Sequence, residues 1–574
     1  MFIRPCFRRK NGKRHAYWAL VESYRTERGP RQRVVAYLGE LDERGRLGIR
    51  EAAQGRLAPQ QNKLFDSPQP QWVEVDAKAV RVERRREFGG PWLALQLIRH
   101  LGLAQFLEHV MADGRPDVPW SIMAQVLVVC RLCDPSSELH IAEHYYRHSA
   151  LAELLGVPHD KVNDDRLYRA LDAVLPHKAA LQVFLKERLG RLFNLEYDLL
   201  LYDVTSTYFE GEAAANGLAQ RGYSRDHRPD CKQVCIALVV SKCGMPLGYE
   251  VFGGNRADVT TLESIVETME RLYGKADRIW VLDRGMISEA NLTFLRSEGR
   301  RYIVGTPRSM LRRFEPQLLQ DDWQCLRDGL EVKQCPSPNG QEVFILCRSR
   351  ERGEKEKAMH ARFERRIEEG LRKIEASCRR RKQTVSAIAQ RVGKLMGRNT
   401  RAAGLFEADV RSEADGRAHL VWNKVEAWRD WARLSEGCYL LRSNVTDWTP
   451  QELWQAYMQL TEAEGAFRIH KSDLGVRPIW HQTEPRVLAH ILVCFLAYVL
   501  WKMLGQWCRR AGLGDEPRRV LEELSKIEVV DVVLPTRSGV EIRRRCITRP
   551  TDHQAILLQH LGLQLPHQLE MMDM

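Results

Sequence analysis

Three carboxylates, Asp203, Asp283 and Glu464, stand where the sequence pattern can bring them together. Asp203 closes the apolar run YDLLLYDV and Asp283 closes RIWVLD, so each run reads as a buried strand ending in an acid. Glu464 lies in the helical pattern WTPQELWQAYMQLTEAEGAFRIHKSDL, which opens with Thr449 as N-cap, Pro450 at the first position and Glu452 two residues on. Carboxylates arriving from two neighbouring strands and one helix suit hard divalent cations, which take oxygen ligands. Two such ions about 3.5–4 Å apart activate a water and stabilise the leaving oxygen in phosphodiester cleavage. In that cage Asp203 would bridge both ions, and Asp283 and Glu464 would each hold one. Tyr457, Glu464 and Lys471 recur at equal intervals, so one straight helix would return them to one face with ~20° of drift per step. Lys471 would then meet a phosphate as a point charge, with Arg468 close to the same face. Among competing acids, Glu462 points roughly 200° around the helix from Glu464. Asp198 begins its strand at the far end, and Glu210 and Glu212 fall in a loop as accessory groups.

The elements that must position these residues follow in a recognisable order. After the strand that ends at Asp203, KQVCIALVV and MPLGYEVF read as a hairpin turning at Lys242-Cys243-Gly244. A helix with a capping box at Thr260 and Glu263 leads to RIWVLD, a short helix capped by Ser288, and the strand RYIVGT. Three meandering strands, helix, strand, helix, strand is the order of the ribonuclease H-like fold. In that fold the first and fourth strands are neighbours, which would set Asp203 and Asp283 side by side.

The rest of the chain is organised around this core. Residues 1–48 alternate as a basic β-hairpin module turning at Arg28-Gly29-Pro30, which reads either as a contact to nucleic-acid backbone or as a capping hairpin, and residues 49–88 are a linker rich in Pro and Gln. Residues 89–193 carry helical periodicity, including NDDRLYRALDAVL with Asn163 or Asp164 as cap, and are expected to form a helical DNA-binding domain. The core would span residues 194–310 and 438–510, interrupted by a mainly β insertion at 311–437, with a C-terminal segment at 511–574. Within the insertion a long charged helix keeps Ile367, Leu371, Ile374, Cys378, Val385, Ile388, Val392 and Leu395 on one side and holds the basic cluster Arg379 to Lys382. The expected class is therefore α/β.

Composition supports a polyanionic partner: the net charge is +13 over 574 residues. Fourteen cysteines lie scattered without a framework, and the pair Cys130 and Cys133 sits in an apolar helical run, which reads as buried helix rather than zinc site. The run VLAHILVCFLAYVLW falls short of ~18 uncharged residues and is interrupted by His490, so it reads as a core helix rather than a membrane span. There is no phosphate-binding G-x-x-x-x-G-K-[ST] loop, no G-x-S-x-G elbow and no H-E-x-x-H.

YDVTSTYFEG from Tyr202, VLDRG from Val281 and the helix from Tyr457 to Lys471 resemble the DDE transposases of bacterial insertion sequences, in particular the cut-and-paste group with a Tyr-Arg-Glu-Lys signature. Tyr457, Glu464 and Lys471 fall in register with that signature, while its arginine position holds Leu460. The resemblance implies a ribonuclease H-like core with an insertion before the Glu helix. It also implies Mg²⁺ as cofactor with Mn²⁺ as a substitute, DNA ends and target DNA as substrates, and a homodimer on paired ends. Catalytic and metal roles fall to Asp203, Asp283 and Glu464, and DNA contacts to Arg284, Tyr457, Arg468 and Lys471. The expected location is cytoplasmic, with the nucleoid and away from any membrane. Open alternatives are a ribonuclease H-like nuclease that cuts without joining, a catalytically silent DNA-binding derivative and, more remotely, a carboxylate-pair glycosidase.

Overall fold

In the computed structural model, which describes residues 2–10, 13–26, 29–39, 73–112, 116–337, 340–412, 417–566 and 568–569, the chain divides into two units. The smaller, Met1–Ala77 with Pro535–Val540, holds strands β1 (Phe2–Lys10), β2 (Lys13–Thr26) and β3 (Gly29–Gly39) in one antiparallel sheet. The sequence predicts β2 and β3. It hides β1, whose alternation is broken by the arginines of FIRPCFRRK. Arg28 of the expected turn and residues 49–72 of the expected linker, 49–88, lie outside the described residues, while Arg81–Glu87 within that span form a strand.

The larger unit opens with β4 (Arg81–Glu87) and, among the described residues, five helices of eight residues or more: α1 (Gly89–Leu101), α2 (Leu103–Val110), α3 (Trp120–Cys133), α4 (Asp164–Val174) and α5 (Lys178–Phe193). Asn163, not Asp164, caps α4, its side chain accepting from the Arg166 amide at 2.8 Å. The expected core elements follow as β5 (Leu199–Tyr208), β6 (Gln233–Ser241), β7 (Pro246–Gly253), α6 (Leu262–Tyr273), β8 (Ile279–Leu282), α7 (Glu289–Ser297) and β9 (Arg301–Gly305). β5 pairs antiparallel with β6 and parallel with β8, so the first and fourth strands are neighbours.

The region after β9 departs from expectation. β10 (Gln324–Arg327), β11 (Leu330–Pro336) and β12 (Val343–Ser349) do not form an inserted domain of their own. They extend the main sheet through β15 (Cys438–Ser443), giving nine strands in the order β10-β11-β12-β15-β9-β8-β5-β6-β7. The reason is burial: Val343 to Cys347 are buried at every position, which an isolated hairpin could not satisfy.

What lies between β12 and β15 is mainly helical rather than mainly β. The expected single long helix is two, α8 (Arg350–Arg380) and α9 (Val385–Arg398), followed by the hairpin β13 (Phe406–Ser412) and β14 (Ala418–Lys424) and the helix α10 (Glu426–Ser435). The chain reverses at Arg381 to Thr384, so the two halves of the apolar stripe face each other. Ile367, Leu371, Ile374 and Cys378 share one small core with Ile388 and Val392.

Beyond β15 come α11 (Pro450–Met458), α12 (Thr461–Arg468), α13 (Glu484–Arg510), α14 (Pro517–Ser525), β16 (Glu528–Pro535) and β17 (Glu541–Ile547). α13 is the one described helix long and apolar enough to cross a membrane, yet 94% of its most apolar window is buried inside the protein. It shares one continuous core with α1 to α5 and with one face of the sheet. All thirteen described cysteines are free, Cys130 and Cys133 among them on α3.

Period-two alternation decides which residues face which layer. Leu199 and Leu201 of β5 and Ile279 and Val281 of β8 face the α13 side. Leu200, Tyr202, Trp280 and Leu282 face α6 and α7. Asp203 and Asp283 therefore carry the parity of the α13 side, which is also the side where α12 crosses β5.

Candidate active site

Asp203 does not end its strand. β5 runs on to Tyr208, and Asp203 pairs across to Leu238 in mid-strand. β8, however, stops at Leu282, whose parallel partner is Tyr202, so Asp283 leaves the sheet beside Asp203. The Asp203 carboxyl is pushed up to about 7, first by burial and then by the charges of Asp283 and Glu464. A hydrogen bond from the Val204 amide at 2.8 Å and the charge of Arg225 work against that rise. Asp203 thus senses both other carboxylates, although Glu464 arrives from a different element.

That element is broken. The Thr449–Glu452 capping box forms as expected, with the Glu452 carboxylate accepting from the Thr449 amide at 2.8 Å. The helix then tightens at Gln459 and Leu460, where the Leu460 amide donates to Tyr457 at 3.0 Å, before α12 begins. A wider turn at Ile469–Asp473 follows and contains Lys471. Tyr457 and Glu464 still open onto one depression of about 570 Å³ together with Asp283, Arg284, Gly305 and Leu460. Asp203 does not line it and lies to its side in the sheet. The Tyr457 hydroxyl is pushed upward by burial first and then by the charge of Asp283.

Lys471 and Arg468 are placed elsewhere. Lys471, 10% exposed, donates to Asp226 at 2.8 Å, and Arg477 also pairs with Asp226, whose side chain is 3% exposed. Burial lowers the Lys471 ammonium, and Asp226 offsets part of that effect. Arg468 is exposed and lines a neighbouring depression with Glu462 and Lys502. The displacement of Lys471 follows from the wider turn after α12, which an ideal helical projection omits. Of the competing acids, Glu462 pairs with Lys502 at 3.2 Å, Asp198 lies near Lys242 at the far end of β5, and Glu210 pairs with Arg228 at 3.4 Å.

Several candidates emerge only in three dimensions. Arg225 pairs with Asp258, and its amide donates to Ser206 on β5 at 3.2 Å. Arg308, Arg327, Arg352 and Lys355 line the depression with Glu464 and Asp283. Arg327 lies over the Trp454 ring at 5.4 Å and Arg352 over Tyr439 at 4.9 Å, so the guanidinium groups are held on aromatic faces. The sequence offers only the surplus of positive charge as a pointer to them.

A second cluster, Glu138, His481 and His490, has ligand atoms within 4.8 Å of one another and is buried. Its His490 is a hydrogen-bonded core residue: one ring nitrogen faces Arg131 at 3.5 Å and the other the Val476 carbonyl at 3.3 Å. His481, with Arg131 and His490, holds the Glu138 carboxyl down at about 2 against its burial.

The fit of divalent ions to the first cluster rests on what the carboxylates lack. Asp226 and Asp258 each hold a cationic side chain. Among the described residues, no Lys, Arg or His nitrogen lies within 4.0 Å of Asp203, Asp283 or Glu464, despite the net charge of +13. Uncompensated acids grouped in a basic protein are a donor set for hard cations. Comparison with known families agrees. The chain matches the family model described as IS1634 family transposase, N-terminal domain, over residues 3–68, and the one described as Transposase DDE domain over residues 194–500. The second match covers more than half of the 574 residues. No curated protein matches the chain.

Proposed function

Since the chain belongs to the DDE transposases of insertion sequences, we propose that it binds the terminal repeats of its own element and performs cut-and-paste transposition, cleaving and rejoining DNA as a homodimer on paired ends. The observation that carries this reading is the meeting of three unpaired carboxylates at β5, β8 and α12 beside a basic depression. The core is taken as ribonuclease H-like, and the protein as cytoplasmic and nucleoid-associated.

Asp203, Asp283 and Glu464 would hold the divalent ions that DDE transposase domains generally use, here Mg²⁺ with Mn²⁺ as a substitute. Bound there, the ions supply the charge that stabilises attacking and leaving oxygens in an in-line displacement. Asp203, buried beside Asp283 and within the field of Glu464, would have to give up its proton to serve as a ligand. The Tyr457 hydroxyl orients Asp283. Arg284, beside Asp283, and the arginines of the depression grip phosphates next to the scissile bond. Water attacks first, and the freed 3′-hydroxyl then attacks target DNA. Lys471 acts through Asp226, and Arg468 is an outlying backbone contact.

The test is an assay of purified protein with Mg²⁺ on labelled DNA carrying the ends that flank its own gene. Cleavage joined to transfer into a target plasmid, and lost in Asp283→Asn, is expected. Cutting without joining would make the protein a nuclease, and end binding without cutting a silent derivative.

A further inference from the structure

Three histidines, His140, His144 and His148, recur one helical turn apart and stand exposed on the stretch 138–148. Their rings form a column. His140 stacks on His144 with centroids 4.8 Å apart, and His144 on His148 at 4.3 Å, with neighbouring planes within 28°. In an ideal α-helix, positions four apart drift by ~40° per step, so three would spread over ~80°. The turn Ile141–Tyr145 is wider, with the Tyr146 amide donating to the Ile141 carbonyl five residues back. More residues per turn take back part of the drift and keep the column straight.

Two contacts prepare this column for a cation. At one end the His140 Nε2 lies 3.3 Å from Oδ2 of Asp134. Two donors on one tetrahedral ion, at ~2.0–2.1 Å each, stand ~3.3 Å apart. Among the described residues His140 is the ion-pair partner of Asp134, so no Lys or Arg neutralises that carboxylate first. At the other end the His148 Nδ1 donates to the His144 carbonyl at 2.7 Å. That bond fixes the proton on Nδ1 and leaves the Nε2 lone pair available, the tautomer a metal ligand needs. The buried cluster of Glu138, His481 and His490 differs, because Arg131 already stands against its His490.

We propose that this column binds a divalent transition-metal ion of the zinc class, with His144 as the ligand common to both stacked pairs and Asp134 completing the His140 end. Imidazole nitrogen suits such ions, whereas the carboxylates Asp203, Asp283 and Glu464 suit hard cations, so the two sites differ in chemistry. The three histidines are exposed, and turning their lone pairs onto a common ion disturbs no core packing. The role is structural: the ion clamps the loop from Asp134 to Ser137 to the helical turns that follow it. The same loop is fastened by Arg131, which donates to the Ser136 carbonyl at 3.2 Å and to the Gly475 carbonyl at 3.3 Å. The site stands whether or not the protein transposes DNA.

The experiment titrates Zn²⁺ into untagged full-length protein in excess Mg²⁺, which occupies the carboxylate sites, and reads binding by calorimetry and by thermal melting. The wild type binds Zn²⁺ and melts at a higher temperature when it is bound. His144→Ala weakens that binding by about tenfold or more and abolishes the rise. Cys325→Ser, which removes an exposed thiol, changes neither. Lowering the pH from about 7.5 to about 5.5 weakens binding by about tenfold or more, because a protonated imidazole has no lone pair to give. Equal affinity in His144→Ala and the wild type, a loss of binding in Cys325→Ser, or a wild type that takes up no Zn²⁺ would overturn the proposal. Binding that leaves the melting temperature unchanged would overturn the clamp.

Discussion

The hydroxyl of Tyr457 stands 2.3 Å from where a Cβ on Gly305 would lie, with its Cζ at 3.0 Å. β9 therefore has to end in glycine for the ring to occupy the depression that Asp283 also lines. Gly305→Ala should push the ring out of line, lowering stability by about 1–3 kcal/mol and cleavage along with it. Tyr457→Phe, which removes the hydroxyl from the depression shared with Asp283 but keeps the ring, should reduce cleavage and leave the melting temperature nearly unchanged. Melting and cleavage measured on both variants check the pair, and unchanged cleavage in Gly305→Ala would show that the ring's position is immaterial.

Asp203 makes the metal-free protein sensitive to pH. Its folded pKa, pushed up to about 7, lies above its ordinary value of 3.8. Its contribution to stability is thus fully present below about pH 4 and is lost as pH rises through 7. Denaturation of the metal-free protein should show stability falling by roughly 2–4 kcal/mol across that window. Asp203→Asn should flatten the fall, and Mg²⁺ above pH 7 should restore stability in the wild type alone.

Asp226 holds two cations in a nearly dry setting. Asp226→Ala leaves Lys471 and Arg477 unpaired and should cost on the order of 3–5 kcal/mol. Lys471→Met, which fills the same space with an apolar chain, should cost less. Urea denaturation of both variants decides the order, and a reversed order would mean that Asp226 is not the hub of this contact.

Gly370 on α8 faces Leu395 of α9, and a Cβ would lie 2.6 Å from its Cδ2. Gly370→Val should loosen the helical hairpin, and adding Leu395→Ala should recover part of the loss. Hydrogen exchange over residues 350–398 reads the effect directly. Additive losses in the double variant would show that the two positions do not touch.

Arg352 rests on Tyr439 and lines the depression beside Glu464. Arg352→Ala should weaken binding of DNA ends and reduce the slope of log affinity against log salt by about one. A slope equal to the wild type's would place Arg352 away from phosphate.

Much of the core is legible in the sequence because its signals are local. YDLLLYDV and RIWVLD are apolar runs long enough for buried strands, and T-P-Q-E marks the start of α11 without ambiguity. The continuation of β5 past Asp203 is hidden by Thr205, Ser206 and Thr207. These polar residues read as loop but are buried within the sheet, where Ser206 receives the Arg225 amide. The capping box at Thr260 does not form, because the Thr260 hydroxyl donates to the Ala257 carbonyl within a tight turn and α6 starts two residues later. The reversal between α8 and α9 is masked by apolar spacing that continues through it, with the Thr384 cap as the one local sign. The break at Leu460 has no Gly or Pro to announce it. Pairings such as Lys471 with Asp226 depend on loops meeting across the sheet, which no window of sequence contains.

β15 lies between β9 and β12 in the finished sheet, yet it is made after everything in the excursion from Gln324 to Ser435. A growing chain on the ribosome therefore carries Asp203 and Asp283 on a sheet whose middle is still an open edge. The strand that closes the edge is the same stretch that leads into α11 and delivers Glu464. A nascent chain or a truncated product that stops short of β15 therefore holds Asp203 and Asp283 but not Glu464, two of the three acids proposed as metal ligands.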